Sequence, residues 1–226
     1  MKRIATPLFV LGLGPCVGLC IALASIFVPR LAGADPTSSS QTRQVSAFHA
    51  IDLAGTLTVE VTVGKPASVE ITGDADLVDK VITRVDNGVL ILDTRREQHR
   101  DRRRNRLRAI VTMPDVTALT ISGTGTMKVT GVGNERLAIA VPGTGELKLT
   151  GTTGALQIKL DGTGQVTASD LAARDVVVDI AGTGQATLRA TSSLDARITG
   201  TGAIEVHGHP AQIKKSVSGV GSIQVR

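Results

Sequence analysis

The stretch GTGTMKVTG, residues 123–131, recurs in varied form through the second half of this 226-residue chain. Two glycines separated by one residue return at successive offsets of 20, 19, 20, 18 and 19 residues. These corner glycines are Gly123 and Gly125, Gly143 and Gly145, Gly162 and Gly164, Gly182 and Gly184, Gly200 and Gly202, and Gly219 and Gly221. Alternating apolar and polar residues flank each pair, as in LQIKL (156–160) and VTA (166–168), which predicts half-buried strands. Each repeat is therefore expected to contain a strand, a Gly-Thr-Gly corner, a second strand and a turn.

A repeat of this length built from short strands is typical of a β-solenoid, in which stacking of successive coils supplies the core. In a parallel stack equivalent residues lie about 4.8 Å apart, so Thr124, Thr144, Thr163, Thr183 and Thr201 should be close in space. We expect the glycines to allow backbone angles that a Cβ forbids, and the stacked Thr hydroxyls to bond to one another or to nearby backbone groups. The alternative is an antiparallel meander with Gly-Thr-Gly hairpin loops, which predicts the same strands but no single repeated corner residue.

Residues 1–34 have the features of an export segment. Lys2 and Arg3 precede an uncharged apolar stretch, residues 4–29, and the sequence LAGA before Asp35 offers a cleavage site. The apolar stretch exceeds the usual signal-peptide core of roughly 7–15 residues, so an uncleaved anchor spanning the inner membrane, which needs about 20 apolar residues, is the alternative. In both cases the rest of the chain should be exported to the periplasm, cell envelope or cell surface.

The exported part divides into a polar linker (35–46) and a β domain (47–226). Within the β domain, residues 47–117 form a leading part in which alternating strands and Asn87-Gly88 predict an antiparallel, hairpin-rich arrangement. Residues 118–226 hold the Gly-Thr-Gly repeats. Both cysteines lie within residues 1–34, so the body has no disulfide and no thiolate nucleophile. The fold class predicted is all-β, a solenoid of about 20-residue coils after an antiparallel β-rich part.

A basic run, RREQHRDRRRNRLR, interrupts the leading part at residues 95–108. Its arginines are Arg95, Arg96, Arg100, Arg102, Arg103, Arg104, Arg106 and Arg108. We interpret the run as a solvated loop, with binding to anionic envelope polymers or lipid head groups as the alternative. Nucleic acid is excluded as a partner because the body is exported and Phe48 is its single Phe, Tyr or Trp, which leaves no platform for base stacking.

Motifs for other chemistry are incomplete. The Gly-x-Gly pairs precede strands and not a helix N-terminus, so they do not predict nucleotide binding, and no Asp recurs after them as calcium-binding repeats require. His207 and His209 lie two residues apart, but no third ligand accompanies them, which favours a solvated turn over a metal site. Scattered acids are expected to be surface charges and turn formers: Asp161, Asp170, Asp175, Asp179 and Asp195. We therefore expect no enzyme activity, no cofactor and no metal.

Four segments together resemble a known family: FHAIDLAGTLTVEV (48–61), VEITGDADLVDKVITRVDNGVLIL (69–92), LTISGTGTMKVTG (119–131) and KKSVSGVGSIQV (214–225). They are similar to the bacterial putative auto-transporter adhesin, head GIN domain family, over nearly all of the exported body. The resemblance implies a β-solenoid with an antiparallel leading part and an adhesin-like role, and it carries over no catalytic or ligand residues. The Arg-rich insertion at 95–108, and Thr where the family often has Ser, are departures from the family pattern.

The function predicted from these features is a non-catalytic exported module of the cell envelope or surface, adhesin-like, with a rigid β surface for binding. Its partner would be an envelope or surface polymer, lipid head groups or a protein. The alternative is an exported polysaccharide-acting enzyme on a β-helix scaffold. The scarcity of aromatic residues argues against that alternative, because such enzymes usually stack sugars on aromatic rings.

Overall fold

Strands make up most of the residues that the computed structural model describes, 38–94 and 107–226. The leading part contains β1 (Ser38–Arg43), β2 (Ala50–Leu53), β3 (Thr56–Val63), β4 (Ser68–Asp74), helix α1 (Ala75–Val78), β5 (Val81–Asp86), β6 (Val89–Thr94) and β7 (Arg108–Met113). The repeats contain β8 (Ala118–Ile121), β9 (Thr124–Val141), β10 (Thr144–Leu160), β11 (Thr163–Ile180), β12 (Thr183–Ile198), β13 (Thr201–His207), β14 (Gln212–Val217) and β15 (Val220–Val225). The predicted export segment, residues 1–34, lies outside the described residues. Within those described, no helix is long and apolar enough to cross a membrane.

The repeats form the predicted parallel solenoid. Strands β9, β10, β11 and β12 pair in parallel with each other, and β13 and β15 continue the stack. Their corner residues are direct register partners: Thr124, Thr144, Thr163, Thr183 and Thr201, followed by Val220. The predicted clustering of the corner threonines is therefore confirmed, and the antiparallel meander is wrong.

Each coil contributes to two sheets that enclose the core. The first sheet follows the corners and has the strand order β1-β4-β7-β3-β9-β10-β11-β12-β13-β15. The second sheet precedes the corners and contains β5, β6, β2 and β8, the later halves of β9 to β12, and β14. Register partners on the inner faces form columns of buried apolar residues, such as Ile139, Ile158, Val178 and Ala196. These columns form the continuous core that a single repeat cannot build.

The leading part supplies the antiparallel pairs β1–β4, β4–β7 and β5–β6. The Asn87-Gly88 hairpin is confirmed, with φ of 48° and 77° as a tight primed turn requires. Strands β2 and β3 instead pair in parallel with β8 and β9 and place Thr56 beside Thr124. Coil stacking thus extends beyond the sequence repeat, and β6 and β7 continue it by pairing in parallel with the other edges of β2 and β3. The earlier corner is Gly55-Thr56-Leu57, and the missing second glycine hides it from the pattern.

Strand β1 forms within the segment expected to be a polar linker. It pairs with β4 at the edge of the first sheet, and its inner side chains bond to α1. Arg43 donates from Nη2 to the Val78 carbonyl oxygen at 2.8 Å, and the Gln41 amide donates to the Asp79 carboxylate. The inner residues of β1 are polar, so this strand lacks the alternation of apolar and polar residues by which strands are predicted from sequence. This is why its composition resembled that of a linker.

The corner glycines are required by close stacking of coils, not by unusual backbone angles. None of the twelve has a positive φ, so the expected explanation from backbone angles is wrong. A Cβ on Gly162 would lie 2.0 Å from the Gly143 carbonyl oxygen, which also accepts the Thr163 N–H at 2.9 Å. The corner Thr hydroxyls make no hydrogen bond to any residue in the described ranges, so their expected bonding role is also wrong. The backbone amide of Thr163, and not its side chain, makes the corner contact.

Replacing Gly162 with Ala should push the Gly143 carbonyl out of its hydrogen bond with Thr163. We expect the free energy of unfolding to fall by about 2 kcal/mol or more, as for other overpacked sites. The matched control is Gly133→Ala, where an added Cβ would meet its nearest atom at 3.9 Å and φ is not positive. Chemical denaturation of both variants measures the difference, and equal stabilities would contradict the stacking explanation.

The last described coil carries a lysine in a core column. Lys215 is the register partner of Ala196 and follows the column Ile139, Ile158, Val178. Its neighbours at inward-facing positions, Ile213 and Val217, are 50% and 44% exposed. An inward-pointing charge at an open sheet edge is a known obstacle to strand addition. Lys215 therefore disfavours the stacking of a further strand on β14.

Replacing Lys215 with Val should complete the apolar column at this edge. We expect Lys215→Val to self-associate as its concentration rises, because the edge then presents unpaired backbone groups beside apolar side chains. The control is Lys214→Val, which removes the same charge from an outward position where Lys214 pairs with Asp195 at 3.5 Å. Light scattering after size exclusion gives the mass of each variant. Equal masses for the two variants at every concentration would contradict the role of Lys215.

Candidate functional site

The first feature of the outer surface is a row of threonines along the corner, which we call the threonine ridge. It consists of Thr56, Thr124, Thr144, Thr163, Thr183 and Thr201, all exposed. Glycines precede them all and follow all but Thr56, so side chains beside the ridge are almost absent. The hydroxyls repeat at about 4.8 Å, the spacing of neighbouring strands. The corner thus presents a row of hydroxyl groups that form no hydrogen bond with any residue that the structure describes.

The outer face of the first sheet is polar and charged. Its middle column contains Glu60, Lys128, Lys148, Thr167, Thr187 and Glu205 in register. Arg108 belongs to β7, and its Nη1 lies 3.2 Å from Glu60 Oε1. The basic run therefore ends in a strand, with its last arginine in an exposed ion pair. The other arginines of the run, Arg95 to Arg106, lie outside the described residues.

The second sheet holds a shallow pocket of about 230 Å³ on its outer face. We call it the charged pocket; its outward side chains are Gln157, Lys159, Val177, Asp179, Asp195 and Arg197, with Ile158 and Val178 beneath them. Lys159, Asp179 and Arg197 form one in-register column on β10, β11 and β12, and Asp195 lies in a second column with Gln157 and Val177. Formal charges of Lys159 and Arg197 balance those of Asp179 and Asp195. The pocket is therefore neutral overall but carries both signs of charge.

Two of the four charged groups in the pocket have partners at its rim. Lys159 Nζ lies 2.9 Å from Asp161 Oδ2, and this hydrogen bond raises the pKa of the lysine. Asp195 Oδ2 lies 3.5 Å from Lys214 Nζ. The remaining two groups, Asp179 and Arg197, face each other from neighbouring coils. Asp179 is also the register partner of Lys159, so it lies between two basic residues in one column.

On the third side of the coils, between the two sheets, side-chain hydrogen bonds join one coil to the next. Ser193 Oγ donates to Asp175 Oδ1 at 2.7 Å, and Arg174 Nε donates to Oδ2 at 2.9 Å. The Ser193 bond, followed by that of Arg174, lowers the pKa of Asp175. Two coils earlier, the buried Thr153 donates to Asn134 Oδ1 at 2.8 Å. These contacts join neighbouring coils and have a structural role.

The two histidines singled out in the sequence do not form a paired site. Strand β13 ends at His207, and Gly208 follows with φ of 105°, so the strand does not continue to His209. His207 Nε2 lies 3.8 Å from Glu205 Oε1, which also pairs with Arg226 at 3.1 Å. Within residues 38–94 and 107–226, no three His, Cys, Asp or Glu residues are grouped as metal ligands.

The charged pocket was not identified from the sequence. Its acids Asp179 and Asp195 were expected to be isolated surface charges, and Lys159 and Arg197 were not singled out. The signal that could have found them is their shared position within successive repeats, since Lys159, Asp179 and Arg197 are register partners. Aligning the repeats on their corner glycines places these residues in one column. Only the solenoid turns that alignment into proximity.

Asp175 should make the free energy of unfolding depend on pH in the acidic range. Because its pKa is lowered in the folded protein, its contribution to stability is present above the pKa of the unfolded chain, about 4. That contribution is lost as the pH falls through the lower folded value. Ser193→Ala should raise the pKa of Asp175 towards the ordinary value and weaken this pH dependence, whereas Ser192→Ala should not. Carboxyl NMR titration and unfolding below pH 5 measure both effects; equal curves for the two variants would contradict the assignment.

Comparisons with known proteins agree on the fold. A putative adhesin from Bacteroides fragilis superposes with a TM-score of 0.69 at 23% identity, covering 85% of this chain and 98% of that one. A putative lipid binding protein from Parabacteroides distasonis superposes with a TM-score of 0.50 at 20% identity, over 85% and 98% of the two chains. No curated protein matches the sequence significantly. The sequence model described as "Putative auto-transporter adhesin, head GIN domain" matches residues 47–210, and the chain belongs to that family.

Proposed function

We propose that the protein is a non-catalytic, exported binding module of the cell envelope or surface, adhesin-like, which presents the outside of its solenoid to a partner. The observation that carries this proposal is the strict register of the outer side chains. The threonine ridge and the charged side chains of the pocket lie on parallel strands, and each coil repeats the same backbone hydrogen bonds to the next. A surface that is already ordered loses little conformational entropy on binding.

The names of related proteins support a partner at the cell envelope. The family is described as an adhesin head domain, the Bacteroides fragilis protein as an adhesin, and the Parabacteroides distasonis protein as a lipid binding protein. We propose by analogy that this chain binds an envelope or surface polymer or lipid head groups. Export would follow from the basic and apolar features of residues 1–34, which act either as a cleaved signal or as an inner-membrane anchor.

The competing proposal, a polysaccharide-acting enzyme, receives less support from the surface. Sugar-cleaving solenoids usually bind their substrate through aromatic rings at successive subsites. Phe48, the single Phe, Tyr or Trp of residues 35–226, is 4% exposed and lies in the core. Charged groups and hydroxyls therefore dominate the outer surface of the described coils. Such a surface suits binding without cleavage.

The arginine run is the proposed contact to an anionic partner. We expect the full-length protein to bind lipopolysaccharide or anionic vesicles, with retention falling as salt shortens the screening length from about 10 Å at 0.1 M to about 3 Å at 1 M. Replacing Arg100, Arg102, Arg103 and Arg104 together with Gln should weaken retention. The matched control replaces four exposed basic residues of the solenoid with Gln: Lys128, Lys148, Arg136 and Arg189.

The same samples of both quadruple variants and of the unaltered protein give three measurements. These are retention, thermal unfolding and the release of sugar from lipopolysaccharide. Loss of retention in the arginine variant alone, with unchanged thermal stability, supports the proposed contact. Equal retention in the two variants would assign the run to a solvated loop. Progressive release of reducing sugar by the unaltered protein would contradict the non-catalytic binding module and support the polysaccharide-acting enzyme.

A further inference from the structure

We propose that the charged pocket is a binding site for a free α-amino acid with an apolar side chain. In this site the Arg197 guanidinium binds the carboxylate, Asp179 accepts from the ammonium, and Val177 contacts the side chain. The inference goes beyond the proposed function, because it concerns a small solute and not a polymer. It starts from a covered oxygen of Asp179 that has no hydrogen-bond partner and from the exposed Arg197 beside it.

Asp179 and Arg197 lack partners that their surroundings would be expected to supply. They are register partners on β11 and β12, so their backbones lie about 4.8 Å apart. Even so, neither side chain forms an ion pair or a hydrogen bond with any residue in the described parts of the chain. Asp179 Oδ1 is shielded from solvent and has no hydrogen-bond partner. A covered carboxylate oxygen without a donor is unfavourable, and such sites call for a missing partner.

The neighbouring charges determine which ligand can provide that partner. Lys159 is already held by Asp161, and Asp195 by Lys214. A purely anionic ligand drawn to Arg197 would meet the negative charge of Asp179 in the same column, and a purely cationic ligand drawn to Asp179 would meet Arg197. A ligand with an ammonium next to a carboxylate satisfies both groups at once. The pocket therefore favours a zwitterion over an ion of either sign.

Geometry and size narrow the class of zwitterion. Guanidinium and carboxylate form paired parallel hydrogen bonds, which suits Arg197. The Asp179 carboxylate can turn about its terminal torsion, which is soft, and bring either oxygen to the ligand. Val177, 48% exposed, offers an apolar contact inside the pocket. A volume of about 230 Å³ is below the range of about 300–1,000 Å³ typical of drug-sized ligands, so one amino acid is the appropriate size.

The experiment follows backbone amide shifts of the folded protein by NMR during titration with leucine. Two blocked analogues serve as matched ligands: leucinamide lacks the carboxylate, and N-acetylleucine lacks the ammonium. Two variants test the pocket, Asp179→Asn and Arg197→Gln. The control variant is Lys148→Gln, which removes an exposed charge from the first sheet. Thermal unfolding of each variant confirms that it is folded, as expected for outward-facing positions.

We expect saturable shifts at residues 157–159, 177–179 and 195–197 on titration with leucine. Each blocked analogue should bind the unaltered protein at least about tenfold more weakly than leucine does. Each pocket variant should bind leucine at least about tenfold more weakly than the unaltered protein does. The Lys148→Gln control should bind as the unaltered protein does. Absence of saturable shifts up to about 50 mM leucine, a concentration that would reveal even millimolar affinity, would overturn the proposal. Equal binding of N-acetylleucine and leucine would also overturn it, because Arg197 alone would then suffice. Lower melting temperatures in both pocket variants without leucine binding would show that Asp179 and Arg197 stabilise each other instead.

Discussion

The structure depends on one repeated backbone contact at the corners. The carbonyl of the first glycine in each coil accepts the N–H of the middle corner residue in the next coil, at 2.9 Å for Thr144, Thr163, Thr183, Thr201 and Val220. The first glycine of that next coil packs directly over the same oxygen, and a side chain there would displace it. A carbonyl that is both bonded and covered fixes the height and the register of the following coil. Glycine is therefore selected by the contact between coils, and the spacing of the glycines sets the length of each coil.

Fixed register determines both the inside and the outside of the solenoid. Inward residues of successive coils form apolar columns, so the core continues without a break from β2 and β3 to β13. Outward residues form columns too, and any charge is placed about 4.8 Å from its equivalents in neighbouring coils. The threonine ridge and the charged pocket both arise in this way. A solenoid thus turns small sequence differences between repeats into a surface with a defined pattern of charge and hydroxyl groups.

The two edges of the stack show how the core is bounded. At one edge, β1 places Gln41 and Arg43 against α1, so polar contacts cover the end of the apolar columns. At the other, β14 places Lys215 in line with Ala196 and exposes Ile213 and Val217. Repeat proteins need polar terminal units, because an apolar column that simply stops would invite another strand. The solenoid meets this need with a bonded strand at one edge and an inward lysine at the other.

The sequence by itself determined the repeat length and the strand content, and it favoured parallel stacking, because glycine spacing and apolar alternation are local properties of the chain. It also determined the Asn87-Gly88 hairpin, whose backbone angles those two residues favour. Tertiary structure decided why the corners are glycine, that Thr56 belongs to the row of corner residues and that β1 is a strand, since each depends on an atom in another coil or element. It alone decided the charged pocket: Lys159, Asp179 and Arg197 are about 20 residues apart along the chain and meet only because each coil rises by one strand spacing.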